Sequence, residues 1–284
     1  MIKPAPVTLA ALRRDIDRID EAIHDLLMRR TEAVLAVAAA KRESGDPVLR
    51  PAREAEVLRR LVARHKGKFP KIALVRAWRE IMAGHVHVQG RFSLAVYAPA
   101  GSGALVRLAH DHFGTVTPSL RHDTAPGVLR EVTDGTATVG VLPLPEEDET
   151  DPWWPNLAGN ESNTPRIIAR LPFAPSNGRG GAAALAVALL EQERSGVDHS
   201  YVILETAGDV SRHAITEALE AAGLSPVFLA AAPAPAGPGV FYLAEIADFV
   251  GRGDERLARL TPVARRAIAV GGYAVPLTEA ELAR

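Results

Sequence analysis

With 284 residues, 47% hydrophobic content and no apolar run long enough to span a bilayer, the chain has the bulk of about two soluble domains and offers no membrane segment. A net charge of −1 gives no reason to expect nucleic acid as a partner, and the absence of cysteine excludes disulfides and thiolate metal ligands. Met1-Ile2-Lys3-Pro4 lacks the apolar core of a secretion signal, so cytoplasmic residence is the default expectation.

Thr8 is a candidate N-cap and Ser44-Gly45-Asp46-Pro47 a clear stop, which predicts a first helix of about 35 residues. Within it Ile16, Ile23, Leu27, Arg30, Val34, Val37 and Lys41 recur at steps of three, four or seven and therefore share one side. Two cations, Arg30 and Lys41, thus occupy an apolar stripe. Burying them unpaired is costly, so each needs a carboxylate or an anionic ligand, and this seam offers few acids besides Asp20. Arg13 lies roughly 25 Å along the axis from Arg30, too far for both to grip one small molecule from one helix. A second, antiparallel copy would bring its Arg13 beside Arg30 and Lys41, which suggests a dimer with shared sites. Taken alone, the same pattern also describes a coiled-coil segment whose long side chains reach out to water.

Pro51 followed by Ala52-Arg53-Glu54-Ala55-Glu56-Val57-Leu58 opens a second helix, with proline in the first turn and acids near the positive end of the dipole. Past the break from Gly67 to Pro70, Val75, Trp78, Met82, His85 and Gln89 form the stripe of a third. Arg29, Arg59, Arg60 and Arg64 read as a solvated basic face.

Leu12-Arg13-x-x-Ile16-x-x-Ile19-Asp20, Leu26-Leu27-x-x-Arg30, Val37-Ala38-x-x-Lys41, Pro51-x-Arg53-Glu54-x-x-Val57-Leu58 and Trp78-Arg79-Glu80-Ile81-Met82 are spaced motifs. Through them the segment from Leu12 to Gln89 resembles the all-helical chorismate mutase domain. The resemblance implies a helix-exchanged homodimer in which Arg30 and the second subunit's copy of Arg13 clamp the two carboxylates of chorismate. It also implies that Lys41 and Gln89 donate to the breaking ether oxygen, and that Glu54 holds the ring hydroxyl with Arg53 beside it. His85 falls where relatives carry a small polar residue, a departure that leaves its part in substrate binding in doubt. Chorismate rearranges to prephenate without nucleophile, metal or cofactor, so cations and an amide suffice.

Beyond Gln89 the period changes. Arg91 to Ala98 reads as a strand, Ala104 to Phe113 as a helix and Ala137 to Leu142 as a buried strand, an α/β unit. Tyr97-Ala98-Pro99-Ala100-Gly101-Ser102 and Val139-Gly140-Val141-Leu142-Pro143-Leu144 resemble the first lobe of a prephenate dehydratase domain. The departures are substantial. Pro145-Glu146-Glu147 stands where that family has Glu-Asn-Ser, and Asn163-Thr164-Pro165-Arg166-Ile167 puts proline in place of the catalytic threonine of Asn-x-Thr-Arg-Phe. A one-residue shift would put the Thr164 hydroxyl at the site instead. The interval from Glu146 to Pro165 is too short for the family's second lobe, and Trp153 and Trp154 within it read as a loop anchor or a substrate wall.

Gly178-Arg179-Gly180-Gly181-Ala182-Ala183 fits G-x-G-x-x-A ahead of an expected helix from Ala184 to Glu193. It is separated from the preceding strand by Pro172 to Asn177, so a Gly-rich linker is preferred to a dinucleotide site and no cofactor is expected. Ser200 to Thr206, Val210 to Ala222, Pro226 to Ala230, Val240 to Glu245, Asp254 to Leu260 and Ala267 to Val270 then follow the order β-α-β-β-α-β. That order resembles the ACT domain found after dehydratases, with Ala230 to Gly239 as a hairpin or loop insertion. The family's Gly-Ala-Leu and Glu-Ser-Arg-Pro effector motifs are not cleanly present. His85-x-His87 and His110-x-His112 lack zinc-helix spacing, so no metal is expected.

The expected architecture is multidomain: an all-α mutase over 8–90, a truncated dehydratase-like α/β lobe over 91–175, a Gly-rich linker and helix over 176–198, and a ferredoxin-like, ACT-like unit over 199–278. The expected activity is chorismate mutase, an isomerase of aromatic amino acid biosynthesis, with a dehydratase-like tail that has lost its chemistry. The alternatives are a bifunctional mutase and dehydratase, and a dimeric, non-enzymatic sensor of an aromatic amino acid, the effector expected at the C-terminal region.

Overall fold

A computed structural model describes residues 8–44, 46–147, 149–159, 161–175, 181–234 and 238–283. They fall into two compact units, Met1–Val48 with Val88–Gly90, and Leu49–His87 with Arg91–Arg284.

The first unit is built on α1 (Leu9–Ser44). Thr8 begins it as expected, its Oγ1 accepting the Ala11 N–H at 3.3 Å. Leu12, Ile16, Ile19, Ile23 and Leu26 are 49–59% exposed, so the helix presents a long apolar side.

The second unit begins with α2 (Pro51–Arg64), which carries proline in its first turn, and continues into α3 (Lys71–Gln89), whose last residues belong to the first unit. Ala55, Leu58, Val62, Val75 and Met82 of these helices form one buried cluster with Phe173 and Leu277. α2 and most of α3 therefore share a core with the α/β region, a different division from the boundary expected at residue 90. Arg59, expected in a solvated face, instead lays its guanidinium on the carbonyls of Ser195, Val197 and Val275 at 2.7–3.0 Å, stapling α2 to the far end of the chain. Lys71 Nζ adds a bond to the Glu281 carbonyl in the short terminal helix α7 (Glu279–Leu282).

The α/β region follows as β1 (Leu94–Tyr97), α4 (Ala104–Phe113), β2 (Ser119–His122), α5 (Ala125–Thr133), β3 (Val139–Pro143), β4 (Arg166–Leu171) and β5 (Ala184–Ala188). It then runs through β6 (Asp198–Ala207), α6 (Arg212–Ala221), β7 (Pro226–Pro233), β8 (Gly239–Ile246) and β9 (Arg266–Ala274). All nine strands form a single sheet in the order β2-β1-β3-β5-β4-β9-β6-β8-β7. In its first half β1 pairs in parallel with β2 and β3, and β5 runs antiparallel between β3 and β4. In its second half every pairing is antiparallel, the β-α-β-β-α-β unit expected from the sequence, except that Glu255–Leu260 is a 3-10 turn.

The helix expected from Ala184 to Glu193 is not formed, and β5 stands there instead. Its Leu185 and Val187 enter one core cluster while Ala184, Ala186 and Ala188 enter the other, an alternation with a period of two that a helix would break. A run this short and uniformly apolar satisfies a buried central strand as well as a buried helix. Gly178, Arg179 and Gly180 of the G-x-G-x-x-A motif lie outside the described residues, and the strand after it supplies no helix N-terminus.

The half-sheets meet where β4 and β9 pair in parallel at Ile167 and Gly271. Gly271 has φ +97°, and a Cβ on it would stand 2.2 Å from the Ile167 carbonyl oxygen. Glycine is required there both for the backbone angle and for the approach. Gly271→Ala should lower stability by about 3 kcal/mol or more, from strain plus displacement of β4. Gly253→Ala, in open space, should shift it by less than about 1 kcal/mol. Comparable urea midpoints for the two variants would show that the seam tolerates a side chain.

Candidate functional site

On α1, Arg13 is exposed, whereas Arg30 and Lys41 are partly buried. The Lys41 ammonium donates to the Pro47 carbonyl at 2.7 Å, closing the turn that ends the helix. On α2, Arg53 turns to solvent and pairs with Glu56 at 2.8 Å, while Glu54 turns inward. There its carboxylate accepts a hydrogen bond from the Arg79 guanidinium of α3 at 2.8 Å, with side-chain exposures of 18% and 7%. Burial draws the Arg79 pKa below its ordinary value and the Glu54 charge opposes that shift. His85 is buried, with Nδ1 bonded to the Ile81 carbonyl of the preceding turn, and Gln89 is partly buried at the end of α3.

Arg79 stood inside a quoted motif without a role. Its signal was the one that singled out Arg30: Val75, Arg79, Met82 and Val86 recur at steps of four, three and four, and all are buried. Its guanidinium also lies over the Phe173 ring, 4.9 Å from the centroid. The Glu54 carboxylate is therefore held from behind by a cation that the α/β region helps to seat.

The dehydratase-like motif around Pro165 is packed shut. Pro165 is buried, and the Thr164 hydroxyl donates to the Glu161 carboxylate at 3.2 Å. The Arg166 guanidinium, 3% exposed, spans the Leu157 and Gly159 carbonyls at 2.9 and 3.0 Å. Trp153 and Trp154 are both buried in the sheet's core, and Trp153 Nε1 donates to the Pro143 carbonyl at 3.1 Å. They anchor the connector and do not form a substrate wall.

Sequence reasoning missed a polar cluster in the second half-sheet. Glu245 on β8 accepts from His199 Nδ1 at 2.7 Å, from the Tyr201 hydroxyl at 2.9 Å and from the Tyr273 hydroxyl, with the Arg170 guanidinium 3.8 Å away. Burial works to raise the Glu245 carboxyl, but the hydrogen bonds from His199, Tyr273 and Tyr201 and the Arg170 charge more than reverse it, holding the pKa below the ordinary carboxylate range. Burial and the Glu245 charge push the Tyr201 phenol far upward, so it remains a donor. His199 and Tyr201 share β6, two positions apart, but their partners lie on β4, β8 and β9, with separations of 28 to 103 positions between bonded residues of different strands and no periodic signal to join them.

Among the described residues no group of three metal-binding side chains gathers, and no helix is long and apolar enough to cross a membrane. With this geometry in hand, comparison places the chain among known proteins. Residues 12–90 match the family model of chorismate mutase type II. A curated bifunctional chorismate mutase/prephenate dehydratase from Pseudomonas aeruginosa is 32% identical over 146 residues, covering 50% of this chain and 40% of that protein. The chain thus spans about two-fifths of the length of the curated relatives it matches. Among solved structures, prephenate dehydratase from Streptococcus mutans covers 66% of this chain at 13% identity with a TM-score of 0.46, and all of that chain is covered. The Staphylococcus aureus enzyme covers 64% of this chain at 9% identity with a TM-score of 0.47, again over all of that chain. Residues 12–90 are thus similar to chorismate mutase type II, and an α/β region follows them.

A carboxyl whose folded pKa lies below its unfolded value contributes stability that is complete above the ordinary carboxylate range and is lost as pH falls through the folded value. Glu245→Gln should therefore cost about 1–3 kcal/mol near neutral pH, with the gap to wild type narrowing below about pH 4 as the wild-type carboxyl protonates. Urea unfolding of both proteins across that range measures it. A gap that widens in acid would reverse the assigned sign.

Proposed function

We propose that the chain is a chorismate mutase, rearranging chorismate to prephenate in aromatic amino acid biosynthesis. The observation that carries this reading is the family match over 12–90, within which the sequence resemblance assigns roles to Arg13, Arg30, Lys41, Arg53, Glu54 and Gln89. Planar guanidinium groups of Arg30 and a second copy's Arg13 grip two carboxylates and select the reactive conformer. Lys41 and Gln89 stabilise the charge that develops on the ether oxygen, and Glu54, oriented by Arg79, binds the ring hydroxyl. Arg53 supports Glu54 at the rim, and His85 lines the substrate pocket. The functional segments in this reading are 8–90, 91–175, 176–198 and 199–278.

A homodimer is part of the proposal. Its support is the separation of Arg13 from Arg30 along one helix and the exposed apolar side of α1, which a second copy would cover. The alternative of a bifunctional enzyme is favoured by the printed names of the curated relatives. Against it stand Pro165 and the engaged Thr164 and Arg166 side chains.

Incubating the purified chain with chorismate and identifying the quenched products tests these readings. Prephenate alone supports the monofunctional mutase, phenylpyruvate supports the bifunctional enzyme, and no turnover rejects both. Lys41→Ala should lower turnover at least about a hundredfold, the scale of losing one donor to developing charge, while the folded state survives. A folded variant with unchanged turnover removes Lys41 from the mechanism.

Subunit sharing has its own test. Arg13→Ala and Arg30→Ala homodimers should both be inactive, and random mixing of their subunits should restore roughly a quarter of the wild-type rate, because each heterodimer regains one intact site of two. Well-mixed heterodimers without activity would place both arginines in one subunit's site.

A further inference from the structure

A cavity of about 750 Å3 opens in the second unit beside α3 and α4, with Val75, Val106 and Phe173 among its apolar walls. Small-molecule sites span roughly 300–1,000 Å3, so the space suits an organic ligand and would leave an inorganic anion loosely held. Its polar lining includes Arg76 of α3 and Arg107, His110 and His112 of α4, with His110 already bonded to Ser119 and Gly114. The two arginines are exposed, and neither has an ion pair or hydrogen bond among the described residues. Asp111 is the acid in the lining, and Arg79, also at the wall, is already neutralised by Glu54. Two uncompensated cations against one acid leave the cavity net positive.

His112 is the second, independent observation. It is 7% exposed, its ring meets Phe113 edge-on at 4.6 Å, and its nitrogens have no hydrogen-bond partner among the described residues. Burial first, and then the nearby Arg79 charge, keep the imidazole neutral, with one donor and one acceptor. The imidazole nitrogens are not sealed from solvent, so a ligand in the cavity that His112 lines can bond to them.

We infer that this cavity binds a small cyclic dicarboxylate, its carboxylates taken by Arg76 and Arg107, its ring lying on the apolar wall that includes Phe173, and one oxygen meeting His112. Guanidinium groups on two different helices match two carboxylates better than a single anionic centre. Phe173 carries the Arg79 guanidinium on its face, so an occupant would act on the cation that orients Glu54. That consequence rests on the mutase reading; the binding itself does not.

The test uses the full chain with phthalate as probe and with benzoate and inorganic phosphate as controls, followed by titration calorimetry and by the histidine ring resonances. Phthalate should bind with a submillimolar Kd and shift the His112 signals, with both controls at least about tenfold weaker. Arg76→Ala and Arg107→Ala should each weaken phthalate about tenfold at unchanged thermal midpoints, whereas Arg30→Ala, in the proposed mutase site, should leave it unaltered. Absence of binding up to about 10 mM, equal response to phosphate, or full binding by the Arg76→Ala/Arg107→Ala double variant would each overturn the assignment. Loss of phthalate binding in Arg30→Ala alone would assign the probe to the mutase site and overturn it equally.

Discussion

The close approach of Gly271 to Ile167 is the constraint on which the larger unit depends. It lets β4 and β9 pair in parallel, and that pair alone converts a mixed five-stranded half-sheet and an antiparallel four-stranded one into a single sheet. Once the halves are joined, Arg170 of β4 reaches Tyr273 of β9, bonding to its hydroxyl at 2.9 Å, and the guanidinium comes within 3.8 Å of Glu245. A buried carboxylate with only one donor would be costly. Donors drawn from both sides of the seam make the cluster specific to the joined arrangement and would lose their geometry if the halves parted.

The same joining explains why α2 and α3 belong with the α/β region. Phe173 follows β4 and Leu277 follows β9, so the seam delivers both to the side where Leu58, Val62 and Met82 are buried. Arg59 completes the attachment by capping carbonyls that follow β5 and β9. The chain therefore seats Glu54 through three successive supports: Arg79 against the carboxylate, Phe173 beneath the guanidinium, and the sheet that fixes Phe173. Removing the α/β region would strip Glu54 of that support.

Most of the helices and strands were legible because each carries its own period and punctuation. Thr8, Pro51 and the break before Lys71 placed three helices, and the β-α-β-β-α-β unit was readable from six separate runs. β5 was not, because its five apolar residues fit a helix and a central strand equally and only its two flanking cores decide between them. In the mutase segment Arg30 and Lys41 announced themselves as charges on an apolar face, Glu54 was legible only through the family resemblance, and Arg79 carried the same signature as the two cations under a stripe drawn one residue away. Glu245, His199, Tyr201 and Tyr273 were illegible for a different reason: only His199 and Tyr201 share a strand, and the joining of β6, β8 and β9 that completes the cluster leaves no spacing in the chain.

The connector from Leu144 to Pro165 shows what became of the space that a second lobe would require. A cleft needs its walls apart and its polar groups available to a ligand, yet here Trp153, Trp154, Leu157 and Ala158 sit in the sheet's main core. The Arg166 guanidinium is spent on two connector carbonyls, so its donors are committed to holding the segment down. Threonine at position 165 would thus place one hydroxyl in a buried site without opening a cavity around it, whereas the proline there fixes the backbone ahead of β4 and asks for no donor or acceptor from a side chain.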